Sequence, residues 1–268
     1  MPPTTTWSAL TGRASASTST TNGARFLDDR WAGVAAAAID TRSGDIASWT
    51  EHPNYTNNGA GKLRLTPDER IFGDGMGPSG AIIYYASGAA NVPASADYFV
   101  EAPLHAKSLG AVGALADAGI YTRLSATTEA GILFYYNRTS VTPRFELYTA
   151  HKGTYALHSV YTHTLSLNSD YRMRLRSEGS AHTGYVNDVA RVSVVTSGAT
   201  LAGFPGIRFY CHSAETYNTG VQMGRIFAES LESIATTVTS VPSWASRSDA
   251  SSAWEARSAS TASWVPFA

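Results

Sequence analysis

The alternation of apolar and polar residues along this chain is clearest at residues 170–188. In the first half of this stretch, three apolar residues alternate with three arginines: Tyr171, Met173 and Leu175 with Arg172, Arg174 and Arg176. Because successive side chains of a strand point to opposite faces, this period of two predicts one buried face and one face that carries the arginines. A Ser-Glu-Gly-Ser turn and an Asn187-Asp188 corner bound a second strand. The stretch therefore predicts an antiparallel hairpin with one solvated face.

Short runs of β-forming residues, separated by turn residues, recur from Arg25 to about Glu229. They predict twelve strands, at residues 62–65, 81–86, 98–102, 119–124, 131–136, 144–149, 157–161, 171–176, 182–186, 190–195, 206–210 and 222–228. Residues 35–39 could form one helical turn, and residues 230–240 fit either a short helix or a final strand. Many short strands without a long helix predict an all-β sandwich or barrel.

The composition excludes several classes of protein. With 268 residues, of which 43% are hydrophobic, the chain can bury one sizeable core. The net charge of −1 predicts no nucleic acid partner, and the single Cys211 excludes an intrachain disulfide. No apolar run approaches the length of a membrane span, so we expect no membrane insertion. The N-terminus lacks the basic and apolar regions of a secretory signal, which predicts a chain made in the cytoplasm.

The two ends of the chain differ from its middle. Residues 1–23 are rich in Ser and Thr and predict an arm, residues 24–232 form the predicted sandwich, and residues 233–268 form a tail. Both ends carry tryptophans, three of them ten residues apart and two followed by arginine in register: Trp7, Trp244, Trp254, Trp264, Arg247 and Arg257. A period of ten fits neither a helix nor a heptad, and disordered segments are poor in aromatic residues. We therefore expect the indoles to dock on a partner or sister subunit; the alternative is a free low-complexity tail.

A glycine-rich loop at residues 75–80 matches the G-x-G-x-x-G pattern by letter. A dinucleotide site needs such a loop to open a helix, whereas this loop leads into Ala-Ile-Ile-Tyr-Tyr, which favours a strand. We interpret it as a turn and expect no cofactor. Asp74, just before the loop, is a weak candidate for a calcium ligand because calcium prefers carboxylate and backbone oxygens.

The residues that carry out catalysis in common enzymes have no characteristic spacing here. Glycoside hydrolysis needs two carboxylates about 5–9.5 Å apart, but the candidate glutamates are isolated from one another: Glu101, Glu129, Glu146 and Glu178. Glu146 shares a strand face with Arg144, which predicts a surface ion pair. The seven histidines form no zinc motif and no G-x-S-x-G elbow is present. Cys211 is adjacent to His212 and is expected in the core, so we predict that the protein is not an enzyme.

Binding has more support than catalysis. Six residues on the polar faces of two predicted strands form a candidate ligand-binding face: Arg144, Glu146, Tyr148, Arg172, Arg174 and Arg176. Either Tyr135 or Tyr136 must also point outward. Such a face could stack sugar rings and hydrogen-bond their hydroxyls, or press against a neighbouring subunit. An equally weighted alternative is a solvated face that carries cross-strand ion pairs.

The middle of the chain resembles a concanavalin A-like lectin/glucanase jelly roll of the laminin-G-like kind. Four pieces carry the resemblance in family order: ARFLDDRW to SWTEHPNYT, ADYFVEAPLH, the hairpin SDYRMRLRSEG to TGYVNDV, and GFPGIRFYCHS followed by GVQMGRIFAE. The resemblance covers roughly 200 residues and implies two antiparallel sheets, one of them concave, often with carbohydrate or calcium at the concave face or its rim loops. The chain departs from the hydrolase members, because it lacks their strand of alternating carboxylates.

The tail is similar to short tryptophan repeats of phage tail and head-appendage proteins. This resemblance implies a virion structural protein, for decoration, tail assembly or adhesion, that is made in the host cytoplasm and docks through its terminal arms. Its expected partners are other virion proteins, further copies of the chain and host surface glycan. The alternatives are a soluble carbohydrate-binding module and, less favoured, a divergent glycoside hydrolase or polysaccharide lyase.

Overall fold

The computed structural model describes residues 19–33, 35, 37–41, 48–55, 62–74, 80–88, 93–107, 117–138, 142–196, 202–211 and 220–234. These residues form strands β1 (Ser19–Asp29), β2 (Trp49–Glu51), β3 (Lys62–Leu65), β4 (Ile71–Asp74), β5 (Gly80–Ala86), β6 (Tyr98–Ala106), β7 (Asp117–Leu124), β8 (Gly131–Asn137), β9 (Arg144–His151), β10 (Thr154–Thr162), β11 (Asp170–Glu178), β12 (Ala181–Val186), β13 (Val189–Val195), β14 (Phe204–Cys211), β15 (Val221–Met223) and β16 (Ile226–Ile234). Two short 3-10 helices span Ile39–Thr41 and Pro53–Tyr55. Neither is long and apolar enough to cross a membrane, nor is any other helix of the described chain.

The strands form two antiparallel sheets that pack as a sandwich, which confirms the predicted fold class. The nine-stranded sheet has the order β13-β12-β11-β6-β15-β4-β3, and β16 extends it by pairing with both β6 and β1. The seven-stranded sheet has the order β10-β9-β8-β7-β14-β5-β2. The segment Thr20–Glu232 forms one compact unit.

The main core lies between the two sheets. Alternate residues of each strand supply it, among them Phe134 and Phe145 from the seven-stranded sheet and Val100 and Leu175 from the nine-stranded sheet. The rings of Phe134 and Phe145 stack with centroids 5.6 Å apart. Burial of such side chains is the main favourable contribution to stability, because it removes apolar surface from water.

The hairpin predicted at residues 170–188 is present and has the predicted faces. Met173 and Leu175 of β11 are buried, whereas the three arginines between and beside them are not. Asn187 and Asp188 both have positive φ, 50° and 64°, and join β12 to β13. A two-residue turn of this conformation fits the twist of the flanking strands.

All twelve predicted strands are present, but three further strands were missed: β1, β2 and β4. The predicted strand at 222–228 is interrupted at Gly224, whose amide donates to Pro103 and whose carbonyl accepts from the indole of Trp31. The helical turn predicted at 35–39 occurs instead at Ile39–Thr41. Residues 230–234 belong to strand β16, and β1 begins at Ser19, within the segment predicted as an arm.

Candidate functional site

The face of the seven-stranded sheet opposite the core, here called the outer face, carries a second set of aromatic residues. Strand alternation directs Tyr136 into the core and Tyr135 to the outer face, which resolves the alternative left open by the sequence. Successive strand pairing aligns Glu146, Tyr135, Gly119 and Arg208 across β9, β8, β7 and β14. Residues far apart in the chain thus meet in one row across the sheet.

A depression of about 300 Å³ opens in the outer face. Its lining combines tyrosines with polar and charged groups: Asp117, Leu133, Tyr135, Asn137, Tyr148, Tyr155, Arg208 and Tyr210. We call this the tyrosine depression. Aromatic surface together with a few convergent polar groups is typical of small-molecule sites.

Arg208 lies among three tyrosine rings. Its guanidinium carbon is 4.7 Å from the ring centroid of Tyr135, 5.0 Å from that of Tyr155 and 5.6 Å from that of Tyr210. These distances are within the range of cation–π attraction. The rings therefore hold the guanidinium in place at the tyrosine depression.

Gly119 provides the space for this packing. A Cβ atom at this position would lie 2.7 Å from the carbonyl oxygen of Phe134 and 2.8 Å from Cδ2 of Tyr135. Both distances are too short for carbon, so any other residue would displace the Tyr135 ring. The shape of the tyrosine depression therefore depends on a glycine in the middle of β7.

Asp117 is a buried carboxylate at one end of the depression, only 2% exposed. It accepts a hydrogen bond from the backbone N–H of Arg138 at 2.7 Å and another from the Tyr135 hydroxyl. Burial raises the pKa of Asp117 to about 7, although these hydrogen bonds and the charge of Arg208 oppose the rise. The charge of the depression therefore changes near neutral pH.

Glu146 is fully buried, which corrects the expected surface ion pair. The pair with Arg144 exists, with Nε and Oε1 2.5 Å apart, but the carboxylate also accepts hydrogen bonds from Asn137 Nδ2 at 2.9 Å and Tyr148 Oη at 2.6 Å. The carboxylate therefore holds three side chains in place on the outer face, two of which line the depression.

Glu129 supports the opposite end of the same face. It is 0% exposed and accepts hydrogen bonds from the hydroxyls of Tyr121 and Tyr155 and from the Gly153 N–H, the last at 2.8 Å. The contact to Tyr155 fixes one ring of the tyrosine depression. The sequence identified Glu129 only as an isolated carboxylate, since its partners lie on β7, on β10 and in the turn before β10.

The arginines of β11 lie on the other sheet, so the six predicted binding residues do not form one face. Arg174 Nε is 2.6 Å from Glu101, and Arg172 pairs with Asp188 and lies 3.8 Å from Glu101. Arg176 pairs with Glu178 at 2.8 Å. The face of the nine-stranded sheet that carries the arginines of β11 therefore forms ion pairs. This is the alternative to ligand binding that the sequence analysis gave equal weight.

Of the six predicted ligand-binding residues, Tyr148 lines the depression, as does Tyr135, one of the two tyrosines of which one was expected to point outward, and Arg144 and Glu146 lie beside it. The residues that sequence analysis missed are Asp117, Leu133, Asn137, Tyr155, Arg208 and Tyr210. Alternation did contain a signal for two of them, because Arg208 and Tyr210 flank Phe209, a core residue of β14. Alternation could not show, however, that the order of the strands brings Arg208 and Tyr210 of β14 to the same depression as Tyr148 of β9.

The remaining predicted features lie at the edges of the described chain or beyond it. The carboxylate of Asp74, the weak calcium candidate, is 2.5 Å from Arg64 Nε, and no group of three His, Cys, Asp or Glu residues within the described ranges could hold a metal ion. Residues 75–79 of the glycine-rich stretch lie outside the described residues, and Gly80, which follows them, begins strand β5. Cys211 ends β14, but its side chain lies outside the described residues, as do the following predicted positions: His212, Trp7, Trp244, Trp254, Trp264, Arg247 and Arg257.

Comparisons with known proteins identify the fold. No protein-family model and no curated protein match the sequence. A Bacillus subtilis protein of unknown function with a galectin-like fold aligns with a TM-score of 0.55 and 11% identity, over 80% of this chain and 99% of that chain. The CBM2 module of the evolved Dit protein of Lactobacillus casei BL23 phage J-1 aligns with a TM-score of 0.52 and 10% identity, over 78% and 96%. The carbohydrate-binding module CBM66 from Bacillus subtilis aligns with a TM-score of 0.47 and 16% identity, over 68% of this chain and 95% of that chain. At these identities the likeness to the first two structures, whose TM-scores exceed 0.5, establishes the fold alone, a lectin-like jelly-roll sandwich.

Proposed function

We propose that the chain is a carbohydrate-binding protein that holds a glycan in the tyrosine depression. The observation that carries this proposal is the convergence of Tyr135, Tyr155, Tyr210 and Arg208 on one open depression. The C–H faces of a sugar ring can pack on tyrosine rings, and its hydroxyls can exchange hydrogen bonds with tyrosine hydroxyls and with the amide of Asn137. The volume of about 300 Å³ is at the low end for ligand sites and suits a short glycan segment.

Binding without catalysis fits the contacts of Glu146, the carboxylate beside this site. Hydrolysis would require one carboxyl to donate a proton and a second to act as base or nucleophile. Both oxygens of Glu146 already accept hydrogen bonds from neighbouring side chains, and Glu146 itself is fully buried. Glu146 is therefore suited to positioning Arg144, Asn137 and Tyr148 rather than to attacking a substrate.

Replacing Tyr210 with alanine tests the proposal. Tyr210 is half-buried at the edge of the depression, so its loss removes one stacking surface. For the ligand identified on a glycan array, we expect the dissociation constant from calorimetry to rise about tenfold. The matched control is Tyr185→Ala, a half-buried tyrosine on β12 of the other sheet, for which affinity should stay unchanged. A loss of affinity in Tyr185→Ala with none in Tyr210→Ala would refute the assignment of the site, and an array without any hit would refute the function.

A role in a virion is a second proposal, and the tryptophan repeat of the tail supports it. A module of the phage J-1 Dit protein shares the fold, which is compatible with this role. Deleting residues 241–268 should abolish incorporation into the native assembly, because the three repeat tryptophans are lost. The circular dichroism and unfolding midpoint of the truncated chain should match the full chain, since the last strand of the described residues, β16, ends at Ile234, before the deletion. Normal incorporation of the truncated chain would contradict the docking role of the tail.

A further inference from the structure

The edge strands of the sandwich differ in how they are protected. A free edge offers unpaired N–H and C=O groups to other chains, and proteins usually shorten or charge such strands. Four strands at the ends of the two sheets follow this rule and carry charged residues: β1 with Arg25, Asp28 and Asp29, β2 with Glu51, β3 with Lys62 and Arg64, and β13 with Arg191. Strand β10 does not follow it, because it has nine residues and contains no Asp, Glu, Lys or Arg.

A β-bulge brings two apolar side chains together on this edge. Leu157 and Ser159 pair with the consecutive residues Tyr148 and Leu147, so His158 is an extra residue in β10. As a result, Leu157 and Val160 both lie on the outer face, although they are three positions apart. They are 45% and 46% exposed.

Exposed apolar surface is concentrated on this side of the sandwich. Among the described residues, five large hydrophobic side chains are exposed: Leu157, Val160, Leu167, Val189 and Val195. Two lie on β10 and two on β13, the terminal strand of the other sheet, which packs beside β10 through the contact of Arg191 with the Tyr161 ring. Of these residues, Leu157 and Val160 lie together on one face of the uncharged edge strand β10, and this pair marks an interaction surface.

We propose that β10 pairs antiparallel with β10 of a second copy of this chain, about a two-fold axis near His158 and Ser159. In this arrangement Leu157 of each copy lies opposite Val160 of the partner subunit, so the two exposed apolar residues cover each other twice. A two-fold interface uses the same surface on both sides and therefore needs a self-complementary strand. Strand β10 meets this requirement, because it has no charged residue and its two exposed apolar residues lie on either side of its centre. A charged partner would find no complementary charge on this strand.

Pairing at β10 joins the two seven-stranded sheets edge to edge and leaves both outer faces on the same side. Tyr155 belongs to β10 and lines the tyrosine depression, so each depression lies close to the join. Two sites on one surface could bind a repeated glycan bivalently and gain avidity. This consequence rests on the proposed function, but the dimer itself does not: a monomer could still bind glycan, and a dimer could bind none.

The mass of the full chain in solution tests the proposal. By sedimentation velocity across a concentration series, we expect a species of twice the 28.4 kDa chain mass. Leu157→Lys and Val160→Lys each place like charges on both sides of the axis and should raise the dimer dissociation constant at least about tenfold. Val195→Lys is the matched control, because it changes an exposed valine on the other edge strand and should leave the dimer intact.

Hydrogen exchange of the unmodified chain gives a second measurement that does not depend on a variant folding. Amides of β10 that face away from β9 should exchange more slowly as the protein concentration rises, while those of β13 should not change. A chain that stays monomeric throughout the series overturns the proposal. A dimer that survives both lysine variants, or whose β10 amides stay unprotected, overturns it equally.

Discussion

Replacing Glu129 with alanine is expected to lower the free energy of unfolding by about 3–5 kcal/mol. The carboxylate is fully buried and is the acceptor for two tyrosine hydroxyls and the Gly153 N–H. Alanine would leave the Tyr121 hydroxyl and its neighbours without this acceptor and open a cavity between them. A buried polar group that loses its partner costs more than the hydrogen bond itself contributed, because water does not replace the partner.

Chemical denaturation at neutral pH measures this loss, and Glu69→Ala provides its control. Both glutamates have positive φ, 54° for Glu129 and 55° for Glu69, so alanine has the same backbone preference at the two sites. Glu69 is exposed, and its replacement should change stability by no more than about 0.5 kcal/mol. Equal losses in the two variants would assign the effect to the backbone instead. Glu129→Ala should also weaken glycan binding, since Tyr155 loses its anchor.

Replacing Asp117 with asparagine is expected to stabilise the protein near pH 8 by up to about 4 kcal/mol and to have little effect near pH 4. Burial raises the pKa of Asp117 from 3.8 to about 7, so the folded chain holds this proton more tightly than the unfolded chain. The stability that the protonated group contributes is therefore fully present below pH 3.8 and is lost as the pH rises to about 7. Each pH unit in this window is worth about 1.4 kcal/mol.

Unfolding curves of the native chain and of Asp117→Asn across this pH range test the expectation. Between about pH 4 and 7 the stability of the native chain should fall relative to that of the variant, because only the native chain has the carboxyl of Asp117 to deprotonate. Asp68→Asn is the control, because Asp68 is exposed and its replacement should leave the slope unchanged. Parallel curves for the native chain and Asp117→Asn would show that Asp117 does not cause the pH dependence.

Much of the fold was predictable because most strands have one face in the core. In β11, for example, burial alternates with the residue number, and the alternation is visible in the sequence. Two of the three missed strands lack this signal: β2 has three residues, and β4 is buried at three successive positions. The break between β15 and β16 was also missed, because it depends on contacts of Gly224 with Pro103 and Trp31, which are distant in sequence.

The candidate site was predictable only in part. Alternation correctly put Arg144, Glu146 and Tyr148 on the face opposite Phe145 and Leu147. The same rule applied to β14 would have added Arg208 and Tyr210. It could not have shown that Glu146 is buried, because that burial comes from Asn137, Tyr148 and Arg144 closing over the carboxylate.

By itself, the sequence determined which side chains of a strand share a face, that the chain is all-β, and that residues 154–162 contain no Asp, Glu, Lys or Arg. Only the tertiary structure decided which faces meet. It separated the arginines of β11 from Arg144 and Tyr148 by putting them on different sheets, and it brought Arg208 beside Gly119 and Tyr135. The physical reason is that the period of two is a local property of the backbone. Neighbours across a sheet, by contrast, are chosen by hydrogen-bond pairing and burial between segments that are distant in the chain.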